Sequence, residues 1–356
     1  MAAIGALGVA LALTACGNSS DDASSSSSKT ASKGKIGVIL PDTKSSARWE
    51  SSDRPALEKA FKDAGIPAII DNAQGDKNRM QTIADQMITQ GVTVLAIVNL
   101  DSDSGAAIQA KAKKAGIANI DYDRLTLGGS ADYYVSFDNS KVGTLQGEGL
   151  QTCLGADKKA NIVFLNGSPT DNNATLFAAG AHAVLDKNTN FTKVAEQPVP
   201  DWDNTKAGTI FEQMFTQQKG KIDGVLAAND GLGNAAIAIL KKNHLAGKVP
   251  VTGQDATVQG LQNVLDGSQC MTVYKSAKEE VGALADLAIA ITKGEKGTTT
   301  GTTRDDTGNR DVPSVLLDPK SITIDTVKDV VSDGGASAAE VCTGTYAELC
   351  TKHGVS

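Results

Sequence analysis

The sequence predicts an α/β fold of two doubly wound, Rossmann-like lobes joined by a three-strand hinge. Three observations carry this expectation. Apolar, strand-like runs alternate with amphipathic helical stretches from Lys35 onward, as in a parallel sheet covered by helices on both faces. The alternation restarts after a strand at Tyr133 to Phe137, which marks a crossing into a second unit. Two late strand-like segments, separated by a long Ala-rich helix, supply two further crossings.

In chain order, KIGVIL is a strand and Arg48 to Ala64 an amphipathic helix that stops before Gly65. PAIID, VTVLAIV and IANI are the next strands, separated by helices at Asn78 to Gln90 and Ser104 to Ala115. The IANI run breaks into Asp121, Tyr122, Asp123 and Arg124, as a buried strand does where it surfaces at its carboxyl end. After the crossing come helices at Asn139 to about Cys153, Asn173 to Leu185, Asn204 to Gln218, Leu232 to Lys242 and Val258 to Leu265. The strands NIVFLN, TKVAEQ, IDGVLAA and VPVTG fall between them. CMTVYK, a helix from Ala277 to Thr292, a polar Gly/Thr-rich stretch from Gly294 to Arg310 and VPSVLL follow. The expected partition is residues 35–136 with 277–312 in the first lobe, 137–276 with 313–335 in the second, and a Cys-containing tail at 336–356.

The first 15 residues are a small-residue apolar run of signal-peptide length ending Leu13, Thr14, Ala15, Cys16, a pattern similar to a bacterial lipobox, with Cys16 as the lipidated residue. The run carries no Lys or Arg before its apolar core, which points to a start upstream of Met1. Residues 16–34 are a Ser-rich tether. Its 18 residues after Cys16 reach about 23 Å as a flexible coil, enough to hold a globule beside the cell membrane. The expected location is therefore extracytoplasmic, anchored as a lipoprotein. No apolar run reaches the length of about 20 residues that a membrane-spanning helix needs.

At 356 residues and 40% hydrophobic content the chain can bury two moderate cores. A formal charge of -7 without a basic cluster disfavours nucleic acid. Setting Cys16 aside leaves Cys153, Cys270, Cys342 and Cys350, an even number in an exported chain. Cys342 with Cys350 closes a short loop, leaving Cys153 with Cys270, although four cysteines allow three connectivities and inert free thiols are the bland alternative. His182, His244 and His353 lie at no ligand-like spacing, so neither a metal nor another cofactor is expected, and a monomer is.

Ligands in open α/β sheets bind outside the carboxyl ends of the strands. The loops at those ends share a vocabulary: Arg48 and Trp49; Asp123 and Arg124; Asp171, Asn172 and Asn173; Trp202; Asn229 and Asp230; Asp255; Lys275. Flat aromatics can cover the C–H faces of a sugar while paired charged and amide groups satisfy its hydroxyls edge-on. Each residue alone has a plainer reading. Trp49 and Trp202 can be core, Asp123 with Arg124 a surface ion pair, Asn172 or Asn229 a helix cap, and Lys275 a solvated strand end. The conjunction at one end of the strands is the signal.

KIGVILPD, ARWESSDR, IDYDR, YYVSFDNSKVG, GSPTDNNA, AANDG, VTGQDA, MTVYK and DVPSVLL, in that order, resemble the D-xylose-binding and related monosaccharide-binding proteins of the periplasmic type I class, from Lys35 to about Asp333. The resemblance implies a solute receptor for an ABC sugar importer, with two lobes closing on one monosaccharide and Arg48, Asp123, Arg124, Asn172, Trp202, Asn229, Asp255 and Lys275 binding it. The segment after Trp49 is a residue longer than that pattern, and the cysteines and tail lie outside it. A glycoside-processing enzyme would need a carboxylate pair with one raised pKa, and the cationic neighbours of Asp123 and Asp255 oppose that. A sugar sensor without transport shares every feature listed, whereas a repressor effector domain requires an amino-terminal helix-turn-helix where this chain has a signal segment.

Overall fold

The structure is a computed structural model, and it describes residues 34–356. Cys16 and the signal and tether segments up to residue 33 lie outside the described residues. The chain opens with β1 (Ile36–Leu40), α1 (Arg54–Asp63), β2 (Ala68–Asn72), α2 (Lys77–Thr89), β3 (Val94–Ile97), α3 (Ser102–Lys114), β4 (Ala118–Tyr122) and β5 (Tyr133–Phe137). It continues with α4 (Asn139–Leu154), β6 (Ala160–Asn166), α5 (Asn172–Leu185), β7 (Phe191–Pro198), α6 (Asn204–Gln217), β8 (Gly224–Ala227), α7 (Asp230–Lys242), α8 (Val258–Leu265) and β9 (Thr272–Tyr274). α9 (Ala277–Thr292), β10 (Gly301–Asp305), β11 (Arg310–Leu317), β12 (Lys320–Ile322), α10 (Val327–Asp333), α11 (Ala338–Val341) and α12 (Tyr346–His353) complete it.

The first lobe is a seven-stranded sheet in the order β10-β11-β5-β4-β3-β1-β2, parallel except for the β10–β11 hairpin. Its central strands are apolar on both faces because both are covered. Leu57 and Phe61 of α1 and Leu284 and Leu287 of α9 pack on one side, and Met80, Ile83 and Met87 of α2 with Ile108 of α3 on the other. Each such side chain contributes about 1.5–3 kcal/mol relative to exposure. The second lobe is a parallel β7-β6-β8 sheet, extended by a bridge from Val225 to Val251 and sandwiched the same way between α4 and α5 and between α6 and α7. α4 and α5 touch closely enough that a Cβ on Gly143 would strike the Phe177 backbone, so only glycine fits there.

Two expectations are corrected by this topology. The last crossing falls after Leu317, not after residue 312. Ser314 to Leu317 pair in parallel with Tyr134 to Phe137, so VPSVLL belongs to the first sheet, and β12 alone joins β9 in the second lobe. The tail at 336–356 is not an appendage. Ala336, Val341, Cys350 and Val355 are buried against Leu261, Val264 and Ile322, making the tail part of the second lobe's packing. The structure joins Cys342 to Cys350 within this tail and Cys153 to Cys270, which ties the end of α4 to the approach to β9.

Candidate functional site: a cleft between the lobes

The carboxyl ends of the strands of both lobes face one another, and the loops leaving them enclose a small, tightly lined cleft. Arg48, Trp49, Asp123, Arg124, Trp202, Asn229, Asp255 and Lys275 all line it. Asn172 does not. It is the first residue of α5 and only half-buried, while its neighbours Asp171 and Asn173 face the cleft.

On the first-lobe wall, a π-helical turn at Trp49–Asp53 precedes α1. The turn points Arg48, Trp49 and Asp53 inward. Arg48 Nη2 lies 2.8 Å from Asp53 Oδ1 and 2.5 Å from Glu280 Oε2, with the guanidinium carbon 4.4 Å from the centre of the Trp49 ring. Burial works against the Arg48 charge, but Asp53 and Glu280 outweigh it and hold the guanidinium protonated. Burial also pushes Glu280 up to about 7, against the pull of Arg48. Trp49 Nε1 donates to Ser45 Oγ at 3.2 Å.

Asp123 and Arg124 sit just past β4. The backbone of Asp123 is left-handed, with φ 60, a conformation uncommon outside glycine although Asp is among the side chains that adopt it most readily. It is held because its carbonyl accepts from Ser136 Oγ at 2.7 Å, Asn173 Nδ2 at 2.9 Å and Tyr134 Oη at 3.1 Å. Its carboxylate lies 3.5 Å from Lys275 Nζ and 3.8 Å from Arg48 Nη1. Burial alone would raise its pKa; the Lys275, Arg48 and Arg124 cations overcome that and keep it below the usual carboxylate range. The pair is thus buried machinery rather than a surface ion pair. Arg124 Nε reaches across the cleft to within 2.9 Å of Asp171 Oδ2, while its Nη1 donates to Asn99 O at 3.1 Å.

On the second-lobe wall, Asp171 is the cap of α5, accepting from the Asn173 backbone N–H at 2.9 Å. Its other oxygen accepts from Trp202 Nε1 at 3.0 Å. The Trp202 ring lies flat against Gly167, where any Cβ would overlap it, and meets Phe177 edge-on at 6.4 Å. Asn229 does cap α7, as the plainer reading had it, through Oδ1 to Leu232 N at 2.9 Å, and that leaves its amide N–H groups to the cleft. Trp202 and Asp255, like Asp123, have positive φ, at 54 and 97. Three cleft residues in sparsely populated backbone conformations are the kind of strain that clusters at functional sites.

What is left unused defines the chemistry. Among the described residues, Gln254 Oε1 is buried without a partner and the Asp255 carboxylate accepts no hydrogen bond. Burial raises Asp255, with Lys275 and Arg48 opposing. Lys275 is pulled down by burial and pushed back up further by Asp123 and Asp255, so it stays charged with donors to spare. Three cations (Arg48, Arg124, Lys275) and three carboxylates (Asp123, Asp171, Asp255) line the cleft, which leaves no net charge to select an ion. Ser45, Ser46, Phe177 and Gln254 complete the lining and were not named from the sequence, whereas Asp171 and Asn173 were named among the strand-end loops but not in the expected binding set. For Gln254 the available signal was its place beside Asp255 at a strand end.

Two lobes facing across a neutral, doubly aromatic cleft with spare donors and acceptors define a small-solute binding protein. Residues 36–296 match the family model of the periplasmic binding protein domain, and the chain belongs to that family. It is 34% identical over 311 residues to the D-xylose-binding periplasmic protein of Escherichia coli K12, covering 86% of this chain and 92% of that one. It is 32% identical over 329 residues to a multiple sugar-binding periplasmic receptor of Rhizobium radiobacter, covering 87% and 92%. An ABC transporter solute-binding protein from Clostridium phytofermentans with bound β-D-glucose superposes with a TM-score of 0.79 at 28% identity, covering 86% of this chain and 99% of that one. A carbohydrate transporter solute-binding protein from Chloroflexus aurantiacus in complex with D-glucose gives 0.78 at 27%, covering 86% and 97%. These relatives are sugar-binding transport proteins and not enzymes, and the chain is of their type I fold.

Proposed function

We propose that the chain is a membrane-anchored extracytoplasmic receptor that captures one xylose-type aldose between its lobes and delivers it to an ABC permease. The observation that carries this reading is the cleft itself: Trp49 on one wall and Trp202 on the other, balanced charge, an unpartnered Gln254 Oε1, and hydrogen-bonding capacity to spare at Asp255 and Lys275. A neutral ring with apolar faces and hydroxyl edges satisfies all three features at once. The relatives that bind xylose or several sugars, and the solved relatives holding glucose, support the ligand class.

In this reading the sugar docks on one lobe of an open form, and closure brings Asp255, Lys275 and Asn229 onto its hydroxyls while Arg48, Asp123 and Arg124 hold the other side. The polar contacts across the cleft, Arg124 with Asp171 at 2.9 Å and Asn173 with the Asp123 carbonyl at 2.9 Å, are then closing contacts. The chain works as a monomer, its closed surface is what the permease reads, and Cys16 carries the lipid that keeps it at the membrane. Intact-mass measurement of the membrane-extracted protein is expected to find a diacylated Cys16 as the first residue, and an unmodified terminus refutes the anchor.

Calorimetric titration of residues 34–356 with xylose, glucose, galactose, arabinose and ribose tests the function. One-to-one binding of xylose or glucose is expected. Heat from none of the five sinks the aldose reading.

A further inference from the structure

A second and larger groove, open to solvent, adjoins the cleft, and Ser46, Arg48, Asp255 and Lys275 line both. One layer of side chains therefore separates the two. The first-lobe wall of this groove is Ser46, Ala47, Ser51, Ser52 and Ala56, from the π turn and α1; the facing wall is Thr257 and the chain after α10, Gly334 to Ser337. Val258, Tyr274, Lys278 and Glu340 also line the groove, and the hydroxyls of Ser46, Ser51, Ser52, Thr257 and Tyr274 are suited to polyol oxygens.

The second-lobe wall is braced. Tyr274 Oη and Ser276 Oγ donate to Asp333 at 2.7 and 2.8 Å, and Thr257 N donates to Asp230 at 2.8 Å. The groove therefore takes its shape when the lobes are together, one of its walls being held rigid. Within the partition, Arg48 is pinned by Asp53 and Glu280, and Lys275 has Asp123 at 3.5 Å. Asp255 differs. Its backbone is fixed, with N–H donating to Val273 O at 2.9 Å, but among the described residues its carboxylate has no hydrogen-bond or ion-pair partner. It is the member free to change rotamer and open the partition.

We propose that the site is bipartite: the inner cleft takes one aldose ring and the outer groove takes a second ring linked to it, so that the chain binds a neutral disaccharide as well as a monosaccharide. This rests on the aldose reading above and extends it to a longer substrate class. Asp255 then discriminates between the two, closing over a single ring and turning aside for a linked one.

The test titrates residues 34–356 with xylose and xylobiose, and with glucose and cellobiose, then repeats all four in Ser52→Trp, which fills the outer groove from an exposed helical position. A disaccharide is expected to bind one-to-one and to compete with its monosaccharide. Ser52→Trp is expected to weaken it more than tenfold while leaving the monosaccharide within twofold. Monosaccharide binding without disaccharide binding overturns the proposal, as does disaccharide binding that Ser52→Trp leaves unchanged or weakens in step with the monosaccharide. Binding of neither class brings down the aldose reading and this extension with it. Ala47→Trp on the same wall repeats the test if the first variant does not fold.

Discussion

Replacing Asp171 by Ala removes three interactions with one side chain: the cap of α5, the acceptor for Trp202 Nε1, and the cross-cleft partner of Arg124. The cap is worth about 0.5–2 kcal/mol and belongs to stability alone. An orphaned Trp202 N–H in a residue only 5% exposed costs about 1–3 kcal/mol, also largely in stability. The Arg124 pair behaves differently, because its members sit on opposite lobes and meet only while the lobes are together. Both side chains are nearly sealed, at 8% and 4% exposure, and although Arg124 Nε is not aligned for a hydrogen bond to the carboxylate, truncating one member leaves the other charge buried and uncompensated, at a cost of about 2–5 kcal/mol. That share appears in affinity, as a loss of roughly 30-fold to several thousandfold in Kd. Calorimetry with the best-binding aldose, alongside urea unfolding, separates the two parts. Asp171→Asn has one acceptor oxygen and so keeps the cap or the Trp202 bond but not both; it is expected to lose less stability than Asp171→Ala and still lose affinity. An Asp171→Ala protein that folds and binds within threefold of the parent refutes the reasoning.

Gly167→Ala drives a methyl into the seat of the Trp202 ring, and the ring must tilt away; a shifted Trp emission and a loss of aldose affinity of about tenfold or more are expected from overpacking of about 1–3 kcal/mol, and an unperturbed spectrum counts against this seating. Stability is expected to fall as pH rises from 5 to 8. Burial raises Asp121, Asp230 and Glu280 to about 7, so between their unfolded and folded pKa values the folded state keeps protons that the unfolded chain releases. His182 acts in the same direction. Burial lowers its pKa, but Glu196 and Asp186 raise it further, so its contribution is present at low pH and lost as pH climbs. A melting temperature that rises across this window contradicts the assignment, and Asp230→Asn is expected to flatten the slope. Removing Cys153–Cys270, with a sequence separation of 117, is expected to cost about 4–5 kcal/mol against about 2–3 for Cys342–Cys350, with a separation of 8; equal losses in urea unfolding contradict the chain-entropy account.

The helices Val258–Leu265 and Ala277–Thr292 were legible to the residue, because Thr257 and Ser276 are caps and the apolar period between is regular. β4 runs two residues past the apolar IANI because Asp121 is satisfied inside the protein, by Thr126 N, Thr126 Oγ1 and Gln109 Nε2, so its charge did not mark a surface. The last crossing was misplaced because VPSVLL reads as a strand in either lobe, and only register against β5 decides which. The stretch Asp171–Asn173 shows the same limit at finer scale. Three adjacent polar residues open a helix; the cap and the second helical residue turn to the cleft, the one between turns away, and composition cannot rank them. Asn229 was weighed as a cap or a ligand group, and its geometry leaves it able to be both. The conjunction of polar loops at one end of the strands was visible from sequence; which atoms remained unpaired there was not, since that depends on partners 50 or more positions away, as for Asn173 and Asp123.

The most direct test of the central claim is a crystal structure of residues 34–356 grown with the tightest-binding aldose. The account predicts one sugar ring in the cleft between Trp49 and Trp202, with hydroxyl oxygens within about 3 Å of Asp255, Lys275 and Asn229. A sugar bound elsewhere, or an empty cleft at saturating aldose, contradicts it.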